Sequence, residues 1–409
     1  MRLAFVADGR SPHARGWLDL FTDGDHEVHL ISTFDCEPPA WLASYRFIPV
    51  AFSGRVRGGA AGQAPGGASA IGLRAAIRHW LGPITVPLSA ARLKSELREI
   101  QPDLVHAMRI PFEGILAAAA KPDVPLVISV WGNDFTLHAG ATPAMSLLTR
   151  RALRSADGVH TDCERDARLA VQWGFRQNGP QIVLPGGGGI DTRIFHPGEP
   201  DLEHLDPSLR TVLANIPPDA PVVVNPRGFR AYVRNDTFFK AIPTVLKMLP
   251  GTIFLCPALA GERAAERWLD ELGIRANVRL LPGLSAREMA AIYQRAWVMV
   301  SPSTHDGTPN SFLEAIACGC FPVVADLESL REWIEEGSNG LLTSATDPQQ
   351  LADSIVSALQ DRELRRTARA VNLALIETRA SRAMARESVD AFYRQIIEHE
   401  VADSEEVHR

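Results

Sequence analysis

A chain of 409 residues, 46% hydrophobic and 22% charged, is too apolar for a disordered polymer and long enough for two domains with separate cores. No apolar run approaches the roughly 20 residues that cross a bilayer. The start "MRLAFVADGR" also lacks the basic-then-apolar layout of a signal peptide, so a cytoplasmic location is expected. Five cysteines (Cys36, Cys163, Cys256, Cys318, Cys320), odd in number and without a CxxC pair, argue for reduced thiols and against a disulfide framework or a zinc site.

The net charge of −6 is unevenly spread, +1 over residues 1–200 and −7 over residues 201–409. Residues 46–98 hold eight Arg or Lys against one acid, Glu96, a patch that seeks an anionic partner. Nucleic acid is the weaker fit, because from Arg55 to Arg98 Trp80 is the one Phe, Tyr or Trp interleaved with the cations.

In chain order, "LAFVAD", "EVHLIS", "RFIPVAF", "DLVHAM", "PLVISVWG" and "GVHTD" read as strands, with helical patterns between most of them. The Gly/Ala-rich segment 54–72 is expected to be a mobile loop. In "IGLRAAIRHWLG" that follows, a helix puts Leu73, Ile77, Trp80 and Leu81 on one face with Arg74 and Arg78 on its flank; Arg55 and Arg57 precede it. That layout suits a helix lying on an anionic membrane and equally a helix packing Ile77 and Trp80 into a core.

After the Pro- and acid-rich stretch "HPGEPDLEHLDPSL", the strand pattern restarts with "PVVVNPRG", "TIFLCPAL", "VRLLPGL", "WVMVSPS", "FPVVADL" and "GLLTSA". Near-continuous apolar strands alternating with helices predict two doubly wound α/β domains, 1–198 and 199–380, with a helix in 381–409 crossing back to the first. Ligands of such sheets bind beyond the carboxyl ends of the strands, and the expected place is a cleft shared by the domains.

The densest chemistry lies in "STHDGTPNSFLEAIACGCFPVVAD", residues 303–326. With Thr308 as N-cap and Pro309 at the first helical position, the free N–H groups from Thr308 to Ser311, Asn310 included, would face an anion such as a diphosphate. Glu314, one turn into the helix, can accept from the vicinal hydroxyls of a ribose, and Asp306 can reach sugar hydroxyls. Arg227, directly after the strand "PVVV", is read as a phosphate clamp, while Arg230 and Arg234 divide evenly between clamp and solvent. The loop "ADGRSPHARGW", with Gly9, His13 and Gly16, can approach donor or acceptor, and His106 is expected to pack inside the domain. The four glycines 186–189 lack the spacing of a phosphate loop and read as a hinge. The twelve histidines form no metal-ligand motif, so no metal is expected.

The acid, seven residues and Glu of 306–314, followed by "AIACGCFPVVAD", resemble the E-x7-E signature of family 4 of the retaining glycosyltransferases. Other pieces agree in order. "WGNDF" resembles the family's HGxD turn, which places Asn133 and Asp134 against sugar or acceptor; "LPGGGGIDTRIFHPG" resembles its interdomain stretch; "NPRGFR" its entry to the nucleotide domain; and "LLPGLS" its base-binding turn, with Gly283 and Leu284. The resemblance implies a GT-B fold of two facing Rossmann-like domains. It also implies sugar transfer from a nucleotide diphosphate sugar with retained configuration, as in cell-envelope or polysaccharide synthesis, no protein nucleophile and no metal. Catalytic roles then fall to Asp306, Arg227 and Arg234, and donor contacts to Glu314, Arg227, Arg230 and residues 308–311. Three departures stand out: Asp306 is one methylene shorter than the family's glutamate, arginines replace its lysine, and Trp131 replaces its histidine. A sugar nucleotide epimerase and a non-catalytic sugar nucleotide binder remain as alternatives.

Overall fold

The computed structural model describes residues 1–53 and 68–407, with side chains described over 1–53 and 78–398. The chain divides into unit 1, Met1–Gly189 with Arg382–Arg409, and unit 2, Ile190–Ser381. The first division therefore falls at the end of the glycine run, several residues before the boundary expected at 198.

Unit 1 is a seven-stranded parallel sheet: β1 (Arg2–Ala7), β2 (Glu27–Ser32), β3 (Ser44–Phe47), β4 (Leu104–Ala107), β5 (Leu126–Val130), β6 (Gly158–Thr161) and β7 (Gln181–Val183), in the order β3-β2-β1-β4-β5-β6-β7. Its β1–β4 pairing aligns Leu3 with Leu104. Every residue of β1 from Leu3 to Ala7 is buried, which is why that strand reads as a continuous apolar run: helices cover both faces. Unit 2 repeats the plan with β8 (Val222–Val224), β9 (Ile253–Cys256), β10 (Val278–Leu280), β11 (Val298–Ser301), β12 (Phe321–Ala325) and β13 (Leu341–Thr343), in the order β10-β9-β8-β11-β12-β13. In each sheet the order reverses once, between β1 and β4 and between β8 and β11. There the connections leave to opposite sides and open a crevice at the strands' carboxyl ends.

Two expectations need correcting. The expected strand "RFIPVAF" forms only as far as Phe47, and the chain then turns, with Ala51 and Phe52 at positive φ. The loop expected over 54–72 gives way at Ala68 to a helix running to Ile100; residues 54–67 lie outside the described residues. No helix among the described residues is long and apolar enough to cross a membrane.

The chain returns to unit 1 through the helix Arg382–Val407, whose Ala385, Val389, Phe392, Tyr393 and Ile396 are buried at helical spacing. Gly158 leaves room for the ends of Ile396 and Phe392. Tyr393 also anchors a buried chain of hydrogen bonds. Trp17 Nε1 donates to Tyr393 Oη at 3.0 Å, Tyr393 to His106 Nδ1 at 2.5 Å, His106 Nε2 to Ser129 Oγ at 2.8 Å, Ser129 to His160 Nδ1 at 2.8 Å, and His160 Nε2 to the Leu184 carbonyl at 3.0 Å. The carbonyl can only accept and the indole can only donate, so the direction of every bond is forced and both imidazoles carry their proton on Nε2. Burial pushes the His106 pKa well below its usual value and that of His160 down to about 4, which keeps both rings neutral. His106 is thus a packed residue, as expected.

Gly16 and the glycine run meet within unit 1. A Cβ on Gly16 would lie 2.5 Å from the Gly187 carbonyl oxygen, and Gly188 (φ +75°) and Gly189 (φ +82°) occupy the left-handed region. Close backbone approach and turn geometry therefore account for these glycines.

Candidate functional site

Two buried asparagines shape the loop after β8. Asn225 Nδ2 donates to Asn235 Oδ1 at 2.9 Å, Asn225 Oδ1 accepts from the Arg227 amide at 3.2 Å, and Asn235 Nδ2 donates to the Gly228 carbonyl at 3.3 Å. The Thr304 amide donates to the Tyr232 carbonyl at 2.7 Å and joins this loop to the one after β11. Arg227 is thereby set against Asp306: its Nη2 donates to both carboxylate oxygens at 3.0 and 2.9 Å, and Nη1 donates to Ser311 Oγ at 3.3 Å. The pair is largely buried, its side chains 14% and 13% exposed. Despite burial, Asp306 raises the Arg227 pKa, so the guanidinium stays charged.

The helix after this loop runs Asn310–Ala317, with Pro309 as N-cap in extended backbone (ψ 130°) and no side-chain cap. This corrects the expected start by one residue. Thr308 is not the cap: it is buried, and its Oγ1 accepts from Trp333 Nε1 at 3.0 Å. The amides of the first turn are left without a side-chain partner, and Asn310 Oδ1 is buried without one. Glu314 follows one turn later. Tyr293 Oη donates to its Oε2 at 3.4 Å, and burial pushes its pKa up to about 7. Gly319 (φ +93°) closes the helix in a conformation that favours glycine.

The remaining residues expected at this site are placed less closely. Arg230 is exposed, its Nη1 donating to the Phe229 carbonyl at 3.3 Å. Arg234 is held at 2.8 Å on both arms by Asp236. Gly283 is exposed with open space around it, and Leu284 packs on the unit 2 core. Sequence reasoning missed Asn225, Asn235 and Tyr293; an Asn at each end of "NPRGFRAYVRN" is the signal that would have found the first two.

Unit 1 gathers its own expected residues at the carboxyl edge of its sheet. Asp134 is buried; it accepts from Arg109 Nε at 2.9 Å and from the amides of Trp131 and Ile110, and burial raises its pKa against the pull of Arg109. Asn133 Oδ1 accepts from Arg109 Nη2 at 3.3 Å. The His13 ring lies 5.1 Å from that of Trp131, whose Nε1 is buried without a partner. The Gly9 amide donates to Ser32 Oγ at 3.0 Å. Among the described residues one group has donor spacing suited to a metal ion: Asp162, Cys163 and Asp166, with ligand atoms within 4.8 Å of one another. A guanidinium already stands there, Arg165 Nε donating to Asp166 at 2.9 Å, and burial with the neighbouring Asp166 holds the Asp162 pKa well above the usual carboxylate range.

Two family profiles match in succession: "Glycosyl transferase 4-like domain" over residues 9–187 and "Glycosyl transferases group 1" over residues 214–371. The chain belongs to the family 4 glycosyltransferases. The family 4 matches among curated proteins include D-inositol 3-phosphate glycosyltransferase of Corynebacterium urealyticum, 29% identical over 211 residues (49% of this chain, 48% of that protein). The Mycobacterium tuberculosis protein of the same name is 30% identical over 223 residues, 52% of this chain and 43% of that one. The chain thus spans about half the length of the curated relatives it matches. Among solved structures, sucrose-phosphate synthase from Thermosynechococcus elongatus matches with TM-score 0.75 at 16% identity, covering 98% of this chain and all of that one. Anabaena HepE, solved in complex with UDP-glucose, matches with TM-score 0.70 at 16% identity, covering 97% of this chain and 100% of that one. With its two parallel sheets, the chain has the GT-B fold.

Proposed function

We propose that this chain transfers a sugar from a nucleotide diphosphate sugar to an acceptor, with retention of anomeric configuration. The observation that carries the reading is the convergence of Arg227, Asp306 and Ser311, with Glu314 one turn beyond, at the point where the unit 2 strand order reverses. In this reading Arg227 and the first-turn amides of Asn310–Ala317 stabilise the negative charge that develops on the departing diphosphate. Glu314 accepts from the ribose hydroxyls. Asp306 aims the guanidinium and reaches the sugar. Arg230 is the better second cation, because Arg234 is committed to Asp236. A guanidinium and a helix start supply the positive charge, so the proposed transfer requires no metal. Unit 1 binds the acceptor.

A structural neighbour solved with UDP-glucose makes uridine diphosphate sugars the first donors to test. Purified protein incubated with a panel of nucleotide sugars, with nucleotide release and epimer formation both followed, separates the alternatives. Release accelerated by an acceptor supports transfer; epimer formation, or binding with neither reaction, overturns it.

We also infer contact with an anionic membrane through the helix Ala68–Ile100. Trp80, Leu81, Ile84 and Leu88, which fall on one helical face, are 65%, 47%, 74% and 75% exposed. Packing of Trp80 into the core is thereby excluded, while Leu73 and Ile77 lie outside the described side chains. Flanking cations would add about 1 kcal/mol each at an anionic surface. Wild type is expected to float with phosphatidylglycerol vesicles at low salt, and an Ile84→Glu, Leu88→Glu variant to stay behind; a wild type that ignores the vesicles overturns this contact.

A further inference from the structure

Three arginines of unit 1 converge where the order of its own sheet reverses. Arg10 follows β1, Arg109 follows β4, and Arg78 enters from the helix Ala68–Ile100. The guanidinium carbons of Arg10 and Arg78 lie 3.7 and 5.2 Å from the centroid of one ring, Phe34, and that of Arg78 lies 5.5 Å from Phe112. Gly82, one turn further along the helix, lets it press onto Phe112, since a Cβ there would stand 2.8 Å from the ring.

The three are not equivalent. Asp8 takes Nε and Nη2 of Arg10, both at 3.0 Å, and leaves Nη1 unspent. Arg109 is held by Asp134 and Asn133. Arg78 makes no hydrogen bond or ion pair with any described residue, and its Nε is buried without a partner. The acid facing it, Glu113, is buried and accepts from Thr33 Oγ1 at 2.6 Å instead. Burial raises the pKa of Glu113 and lowers that of Arg78, each against the weaker pull of the other's charge, and the guanidinium keeps its proton. Around them stand Asp8, Arg10, Arg109 and the pair His79–His138 (Nε2 to Nδ1, 3.1 Å), whose pKa values burial lowers, that of His138 to about 3. The histidines therefore add no charge. A guanidinium partly withdrawn from water, its Nε wholly buried and no anion bonded to it, is costly, and such a group belongs where a ligand supplies the anion. The site is open to solvent, because the Arg109 side chain keeps 32% of its exposure and that of Arg10 18%.

We propose that Arg78, flanked by Arg10 and Arg109, binds a phosphate group of the acceptor. A phosphate carries enough oxygens to meet the fork of Arg78 and the free Nη1 of Arg10 together, whereas a carboxylate has two. The inference deepens the reading of unit 1 as the acceptor unit and rests on it. The phosphate comes either on a soluble molecule or on a lipid.

The test uses the full chain without donor, titrated calorimetrically with glycerol 3-phosphate and, separately, with short-chain phosphatidic acid below its micelle concentration; UDP is titrated as the independent measure of the donor reading. Arg78→Met keeps the stem and removes the charge. It is expected to weaken binding of the phosphate probe at least tenfold, leave UDP binding unchanged and not lower Tm, because a half-buried charge without a bonded anion is removed. Arg78→Lys is expected to recover part of the affinity. Binding of glycerol 3-phosphate lost in Arg78→Met marks a soluble acceptor, and binding confined to the lipid probe marks a lipid-borne one. Wild type binding neither probe, or Arg78→Met binding both as wild type does, overturns the proposal, and a lowered Tm with unchanged phosphate binding makes Arg78 structural.

Discussion

Arg227→Ala is expected to lower turnover with a nucleotide diphosphate sugar by roughly two to three orders of magnitude, the scale of losing one preorganised charge that meets a developing oxyanion. Stability falls as well, since Asp306 is left in a largely buried position without the guanidinium that holds both its oxygens. That structural cost, about 1 to 3 kcal/mol, has to be separated from the chemical one. Adding Asp306→Ala removes the stranded carboxylate and restores most of the melting temperature while turnover stays low. Recovery of turnover along with stability in the double variant would make Arg227 a structural residue.

Glu314→Gln is expected to move binding and stability in opposite directions. The carboxyl pKa is pushed up to about 7 by burial, with the Tyr293 hydroxyl pulling the other way. Between the ordinary carboxyl value and about pH 7 the unfolded chain ionises while the folded chain keeps its proton. Folding therefore loses stability as pH rises through that window, by at most about 3 kcal/mol. Glutamine cannot ionise, so the variant should be the more stable protein at pH 8 and equal to wild type near pH 4. Donor affinity behaves inversely. The ionised carboxylate is the better acceptor for two ribose hydroxyls, so wild-type affinity should rise with pH toward a plateau above about 7. The variant should bind roughly 1.5 to 3 kcal/mol more weakly with no such rise. Thermal melts and calorimetry at three pH values read both effects.

The fold was legible in the chain because buried parallel strands leave uninterrupted apolar runs, as "LAFVA" and "PVVV" do. Strand β7 escaped because three residues before a Pro and four glycines look like linker. The candidate site was half legible. Asp306, Ser311 and Glu314 were singled out from the loop-to-helix pattern and Arg227 from its place directly after the strand "PVVV", and the structure brings Arg227, Asp306 and Ser311 into contact. The pairing of Arg227 with Asp306 was not legible, since 79 residues separate them and only the β8–β11 pairing brings them together. Thr308 misled for a local reason: Thr before Pro is a good cap by type, but Trp333, distant in sequence, claims its hydroxyl. Arg78 was read only as lying on the flank of its helix, because helical periodicity places a Cβ and says nothing of a long side chain turning back over Phe34 and Phe112.

The central claim is that the Arg227 and Glu314 site of unit 2 holds the nucleotide diphosphate of a sugar donor. Its most direct test is calorimetric titration of wild type, Arg227→Ala and Glu314→Gln with the diphosphates of uridine, guanosine and adenosine. One base is expected to bind wild type saturably at a single site, at least tenfold more weakly in each variant while both remain folded. Failure of wild type to bind any of the three, or binding that neither substitution weakens, would contradict the account.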